Sequence, residues 1–459
     1  MISWQKINRF LLWSAFFVLP WQFRHTLIFA EHQGQFFEYA SISIYLSDIL
    51  IILVLLTWFI FAKKTEFKTG PAVIFWPLTF LIVWLWISVG YGNSITGNWA
   101  VGLNNAAHFS LFYLFYIYLV NAVKNLSDIL LPLAWGTGLQ AIIAIGQYGL
   151  NRSLGLKFLG ESPLQPAELG IPVVLINGVR HLRAHGTLPH ANVLGGYLAL
   201  VLPWLGLIYL GVVKAIKRPW IYWLILTVGS VALLFSFSRS AWLAIGLTCL
   251  VVIIWRLISG RPRWQGWDGG LIAIVMVIAL SQYPALVSRF HPEQTALEQG
   301  SVTARIDQLQ QAKLVYDKYP LTGVGVGQYT IYLLQQDTNK LGWQYNSKLS
   351  SWVYNLSRQI WDYQPVHNIF LLVLAELGWV GEVLFIVLLG GLIWVSGSLF
   401  KLGRSLLGVV ALSSVTAIVI LGLFDHYLWT LQPGRLILFL TIGIIAVLYQ
   451  NKNKEIANE

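Results

Sequence analysis

Charge and cysteine are what this chain has least of. Only 11% of its 459 residues are charged, against about 25% in an ordinary soluble domain. So few charges cannot cover a water-facing globular surface of this size. The single cysteine, Cys249, sits in an apolar run, which excludes a disulfide within the chain and a cysteine-based metal site. No Asp-x-Asp occurs, so a metal-dependent nucleotide-sugar site of that kind finds no support. The net charge of +11 is not gathered into a patch. Lys and Arg are spread through short loops, a pattern that membrane topology explains better than nucleic-acid binding.

What is abundant is apolar: 57% of residues are hydrophobic and the mean hydropathy is +0.66. A membrane-crossing helix needs about twenty apolar residues. Twelve such segments are predicted, at 10–29, 47–62, 72–90, 106–123, 129–149, 191–211, 219–237, 240–258, 271–289, 368–397, 405–424 and 435–450. Arg24 and Asn121 shorten the first and fourth. The first run is long, lacks a small-residue cleavage site and is followed by further spans, so it reads as a retained helix. The fold class is therefore an all-α polytopic membrane protein with about twelve transmembrane helices.

With the N-terminus inside, more than half of the thirty Lys and Arg fall on inner segments. The short outer loops hold only Arg24, Arg239 and Arg435. The remaining outer cations lie in or beside two long loops, 150–190 and 290–366, and long loops are exempt from the charge rule. The even span count puts both termini on the cytoplasmic side. All nine histidines (25, 32, 108, 181, 185, 190, 291, 367 and 426) then fall on the outer side or at its edge, which points to an outward-facing active surface.

The second long loop is a polar interruption rich in Gln, Asn, Ser and Tyr. Within it, SVTARIDQLQQAKLVYDK (301–318) carries Val302, Ile306, Leu309 and Ala312/Val315 at helical spacing, with Ser301 as N-cap and Pro320 as terminator. Gly323, Gly325 and Gly327 follow in PLTGVGVGQY. No Lys-Ser/Thr follows and no βαβ unit surrounds them, so a tight turn with close backbone packing is favoured over a nucleotide loop.

The loop ends at His367, directly against VHNIFLLVLAELGWVG. A helix start offers free N–H groups and a positive dipole end for anions, and Asn368 stands beside it. A neutral imidazole there can act as a general base near pH 7. Arg239, in SFSRSAW, is held in a hairpin too tight to be solvated surface, and its planar fork suits a pair of phosphate oxygens. Arg305 lies on the loop helix; a surface ion pair is the plainer reading. Glu376, deep in apolar sequence, is expected to be paired or functional. Asp425 and His426, in FDHYLWTLQPGR, form another outer span end, where Asp425 can orient an imidazole, pair with Arg435 or cap. His181 and His185 have i,i+4 spacing, but the following Gly and Pro would break the helix a zinc pair needs. Trp361-Asp362-Tyr363 reads as part of an interfacial aromatic belt.

These pieces together resemble the O-antigen ligase family. The resemblance rests on RAHGTLPHANVLGGYLAL, SFSRSAWLA, ARIDQLQQAKLVYDKYPLTGVGVGQY, VHNIFLLVLAELGWVG and FDHYLWTLQPG, all within residues 180–450. It implies a catalytic core over 180–450 that includes the 290–366 loop. Residues 1–179 then supply the N-terminal helices and first long outer loop, and 451–459 a cytoplasmic tail. It further implies a metal-independent, inverting glycosyl transfer on the outer face of a bacterial cytoplasmic membrane. The donor would be a glycan on undecaprenyl pyrophosphate, and the acceptor a hydroxyl on a glycan, lipid or protein. No cofactor, metal or nucleic acid is expected. The resemblance makes His367, Arg239 and Arg305 catalytic and puts Arg183, Asn368, Asp425 and His426 at the substrate.

A repeat-unit polymerase or a protein O-oligosaccharyltransferase fits the same residues. A twelve-span transporter or lipid-linked-glycan flippase fits less well. No two-fold repeat of spans is visible, and the charges cluster on one face, whereas alternating access needs a mid-membrane site. A non-catalytic assembly scaffold would leave changes at Arg239 and His367 silent.

Overall fold

The computed structural model describes residues 4–32, 34–61, 67–168, 170–213, 218–259, 266–290, 296–338, 342–346, 351–355, 363–401 and 405–456. His291, Trp361 and Asp362 lie outside these. Each of the twelve predicted segments overlaps a helix, ten of them along nearly all of their length: α1 (Trp4–Val18), α2 (Leu46–Phe61), α3 (Ala72–Thr96), α4 (Trp99–Ala122), α5 (Ser127–Leu150), α6 (Ala191–Tyr209), α7 (Pro219–Phe235), α8 (Arg239–Ile258), α9 (Gly266–Ser281), α13 (Ile369–Lys401), α14 (Ser405–Phe424) and α16 (Gln432–Ile456). Among the described residues, seven helices are long and apolar enough to cross a membrane, or eight if one bent pair counts as a span. Between α9 and α13 lie α10 (Tyr283–Phe290), α11 (Ala296–Lys318) and α12 (Tyr329–Thr338); α15 (Tyr427–Thr430) is a single turn before α16.

Which helices meet lipid follows from burial. The most apolar stretch of α16 is 94% buried, that of α8 only 17%. Helix α16 is thus a central post and α8 a peripheral span showing Leu243, Leu250 and Ile254 outward. Lipid is as apolar as a protein core, so such exposure costs little there. N-terminal helices are not set apart from the rest, since α3 packs on α13 and α4 on α16.

Two spans differ from expectation. The first helix stops at Val18, and Arg24–Ile28 is instead strand β1, paired antiparallel with β4 (Ile42–Tyr45). The strand start suits Arg24, which pairs with Glu38 across the hairpin. The small ladder β2 (Glu31–His32) and β3 (Gln35–Phe36) lies between them. The 271–289 span bends by 74° where α9 meets α10. Pro284 lacks an N–H and disfavours helix at the residue before it. A third hairpin, β5 (Val173–Ile176) with β6 (Val179–Leu182), turns on Asn177 and Gly178, both at positive φ. Asn-Gly between apolar runs is the strongest short-range hairpin signal. His181 is in β6, so the helical zinc spacing with His185 does not form. The hairpin β7 (Gly342–Asn346) with β8 (Ser351–Asn355) belongs to the long loop.

The loop helix is longer than predicted. It begins at Ala296, so Ser301 lies inside it and not at its start. Its buried face is Gln308, Ala312 and Val315, whereas Ile306 and Leu309 are exposed. Helical spacing found the helix, but burial went to the residues that meet α13.

The three glycines form a tight turn with close backbone packing. Helix α13 breaks at Gly378 (φ 65°, ψ −169°), and residues 320–325 cross the break. Val324 and Gly325 donate their amides to the carbonyls of Ala375 (3.0 Å) and Glu376 (2.8 Å), and Trp379 donates to Pro320 O (2.9 Å). Trp84 Nε1 donates to Leu377 O (2.9 Å). A broken span is tolerable in lipid when its freed carbonyls find partners in this way. A Cβ at Gly378 would lie 2.2 Å from Leu321 C, and one at Gly323 2.3 Å from Glu376 C. Gly378→Ala is therefore expected to destabilise the protein by at least about 2 kcal/mol, combining a glycine-only backbone with overpacking against main chain. A lowered thermal midpoint in detergent checks this; an unchanged one refutes it.

Candidate functional site

The helix ends that meet at the loop bring together His367, Asp425 and His426, whose ligating atoms lie within 4.8 Å of one another. His367 precedes α13, while Asp425 and His426 form the turn between α14 and α15. The two imidazoles meet edge to face, centroids 5.0 Å apart. Asp425 and His426 are buried; His367 is only half-buried and is the member a substrate can reach.

Hydrogen bonds orient each group. Gln308 of α11 accepts from His367 Nδ1 (2.7 Å). A carboxamide oxygen can only accept, so Nδ1 carries the proton and Nε2 is left as the base. His426 Nδ1 meets Thr430 Oγ1 at 2.8 Å. Asp425 accepts from His426 N through Oδ1 and from Asn192 Nδ2 through Oδ2, both at 2.8 Å. Asn192 Oδ1 in turn accepts from Arg183 Nη2. The result is a continuous chain Arg183–Asn192–Asp425.

Burial pushes the imidazoles towards neutrality. His426 falls to about 3, burial first and the neighbouring His367 second. His190 is driven well below its ordinary value by burial and by Arg183. For His367, burial lowers the value, Asp425 works against that, and Arg305 adds to the lowering. Burial resists ionisation of Asp425, but His367, His426, His190 and the His426 amide outweigh it and hold the carboxyl below its ordinary range. The site is thus one carboxylate among neutral imidazoles, with the Arg305 cation felt at both His367 and His426.

Arg183 also donates from Nε to Ser236 O (2.8 Å). This joins the cluster to the turn before Arg239, where buried Phe237 is held at φ 48°. Arg239 is the first residue of α8. Its Nη1 donates to Arg289 O (2.9 Å), and Arg289 Nη2 donates back to Phe237 O (3.1 Å). Arg239 is thus tied to the end of α10 and reaches the histidine cluster through its turn and Arg183.

Other sequence candidates take structural roles. Asn368 caps α13: its Oδ1 accepts from the amides of Phe370 (3.0 Å) and Leu371 (3.1 Å), and its Nδ2 donates to Leu423 O (3.3 Å). Two of the helix-start amides expected for an anion are therefore taken. Buried Glu376 accepts from Trp429 Nε1 (2.9 Å). Arg435 does not pair with Asp425; it is buried within α16, donates to Trp429 O and Asn105 Oδ1, and lies over the Phe109 ring. His185 Nδ1 lies 2.6 Å from Arg183 O. Asn192, Gln308 and Thr430 escaped sequence reasoning. Each stands three to nine residues from a candidate that was noticed, but only contact shows an amide or hydroxyl to be an orienting partner.

His367, Asp425 and His426 form a group of the kind that holds a metal ion, two imidazoles and a carboxylate. The same donor set suits a proton: one accessible unprotonated nitrogen beside an anion that stabilises its charged form.

Residues 224–386, less than half of the chain, are similar to the family model described as O-antigen ligase. The match includes Arg239, Arg305 and His367 and ends before Asp425. No curated protein matches the chain. The apolar helices, seven of them long enough to cross a membrane among the described residues, fit a multi-pass membrane protein.

Proposed function

We propose that this protein is an O-antigen ligase-like transferase that moves a glycan from an undecaprenyl-pyrophosphate-linked donor to an acceptor hydroxyl on the outer face of the cytoplasmic membrane. It does so without a metal and with inversion at the anomeric carbon. The observation that carries the reading is the accessible, neutral His367 beside buried, ionised Asp425, within reach of the Arg305 charge, in a chain that matches the family model. His367 Nε2 takes the acceptor's proton as that oxygen bonds to the anomeric carbon. The bond from that carbon to the pyrophosphate oxygen breaks, and its electron pair leaves with the lipid pyrophosphate. Arg305 and Arg239 stabilise the charge that grows there, where fixed cations in a dry site act most strongly. Asp425, aligned by Asn192 and Arg183, stabilises the imidazolium.

Reconstitution of the purified protein with lipid-linked glycan and acceptor tests this. Glycan appears on the acceptor with the opposite anomeric configuration, and a chelator leaves the rate unchanged. Movement of intact donor across the bilayer without transfer would mean a flippase. Loss with chelator and recovery with a divalent ion would mean that the histidine–aspartate group holds a metal.

The pH profile has a definite sign. Transfer needs neutral His367, whose pKa burial holds below the ordinary imidazole value. The rate is expected to be level through neutrality and to fall on acidification, with a midpoint below that of an ordinary imidazole. Asp425 raises the His367 value, so Asp425→Asn lowers the midpoint further as well as slowing transfer. A midpoint that rises in this variant refutes the pairing.

A further inference from the structure

Beside Tyr39 and Thr430, two residues that touch the His426 ring, opens a small cleft. Residues 38–45, the middle of α4, the 327–330 turn and the start of α16 supply its walls. We infer that this cleft is the subsite for a neutral, hydroxyl-rich sugar of the acceptor, seated so that its free hydroxyl meets the histidine cluster. The inference rests on the transferase reading above.

Two contacts join cleft and cluster. Thr430 lines the cleft and holds His426 Nδ1. Tyr39 lines it too and meets the His426 ring edge to face at 5.9 Å. The field of Asp425 reaches Tyr39, whose hydroxyl is pushed upward by burial and then by Glu38 and Asp425. Whatever fills the cleft therefore touches Tyr39 and Thr430, which stand between it and the His426 ring.

The lining selects for hydroxyls over anions. Its charged groups are engaged with protein: Glu38 with Arg24, Glu376 with Trp429, and Arg435 with Trp429 O and Asn105. His108 is paired with Asp48 at 3.1 Å. Arg183, Arg239 and Arg305, the cations assigned to pyrophosphate, do not line it. Unengaged neutral groups remain. Gln432 gives its Nε2 to Ser47 and Asp48, while its buried Oε1 has no partner among the described residues. Asn104 makes no side-chain hydrogen bond among them and stands half-buried in the wall. Tyr39 and Tyr45 add aromatic rings beside these amides, the mixture of flat apolar and polar surface that a sugar ring offers in return. The residue 38–45 and α4 walls lie outside the 224–386 family match, so acceptor choice can vary while the chemistry stays.

Asn104 carries the test because it lies in the wall and outside the chemistry. Asn104→Trp fills the cleft, and Asn104→Leu removes the amide at similar size. In the full-length protein in detergent, saturation-transfer NMR with methyl glucoside, methyl galactoside and methyl rhamnoside should detect binding of at least one at millimolar concentration. Asn104→Trp should abolish that binding and Arg305→Ala should keep it, while glucose 6-phosphate should not bind. In the transfer assay, Asn104→Leu should raise acceptor KM about tenfold, as loss of one or two neutral hydrogen bonds does, with donor KM unchanged. Binding by none of the glycosides, equal binding by Asn104→Trp, or an unmoved acceptor KM overturns the subsite. Asn104-dependent glycoside binding in a protein that transfers nothing would overturn the transferase reading and leave the sugar site standing. Matching thermal midpoints of the variants and the parent exclude misfolding as the cause.

Discussion

His367→Ala is expected to lower glycan transfer at least about a hundredfold in purified, folded protein, since a positioned general base contributes about 10²–10⁴. The size follows from the group's position. His367 is the accessible member of a cluster whose other two members are buried. Its Nδ1 proton is committed to Gln308, and one nitrogen is left to receive the acceptor's proton. His367→Gln keeps a polar side chain but no basic nitrogen, so it should fall as far as alanine. Initial rates with saturating donor and acceptor measure the effect. A near-parental rate in either variant would remove His367 from the proton transfer and turn attention to His426.

The second large effect belongs to Arg305. Arg305→Ala should slow transfer about a hundred- to thousandfold, the loss of about 2.7–4 kcal/mol typical of one donor to a developing anion. Loss of rate alone would not separate a charge on the leaving group from a disturbed loop helix. The pH profile does. Arg305 lowers the His367 pKa, so its removal should move the acid limb to higher pH, opposite to Asp425→Asn. Arg305→Lys keeps the charge without the planar fork. It should restore the acid limb and part of the rate. A profile that stays in place in Arg305→Ala would show that its charge does not act at His367.

The membrane class and the places of the apolar helices were legible because each rests on local composition. Apolar runs of span length can be read residue by residue, and polar groups in such surroundings stand out. The faces of α11 were not legible. Ile306 and Leu309 have the spacing of a buried stripe, but Gln308, Ala312 and Val315 are what the bundle covers. In a membrane protein the outside is also apolar, so hydrophobic periodicity loses its power to say which side is in. The bend at Pro284 and the β5–β6 turn at Asn177–Gly178 had signals of their own, but the apolar runs around them masked both.

The sequence by itself determined that this is a helical membrane protein whose titratable groups gather at span ends, because lipid admits little else along the chain. It also carried, over residues 224–386, the similarity to the O-antigen ligase family model. Tertiary structure decided the partnerships. It set Asp425 against His367 and away from Arg435, gave Asn368 to a helix cap, broke α13 at Gly378 to seat the glycine turn, and aligned Asp425 through Asn192 and Arg183. Residues up to 233 positions apart meet in these contacts. Pairings at that range depend on how the helices pack, and no local pattern of apolar and polar residues encodes which helix end meets which.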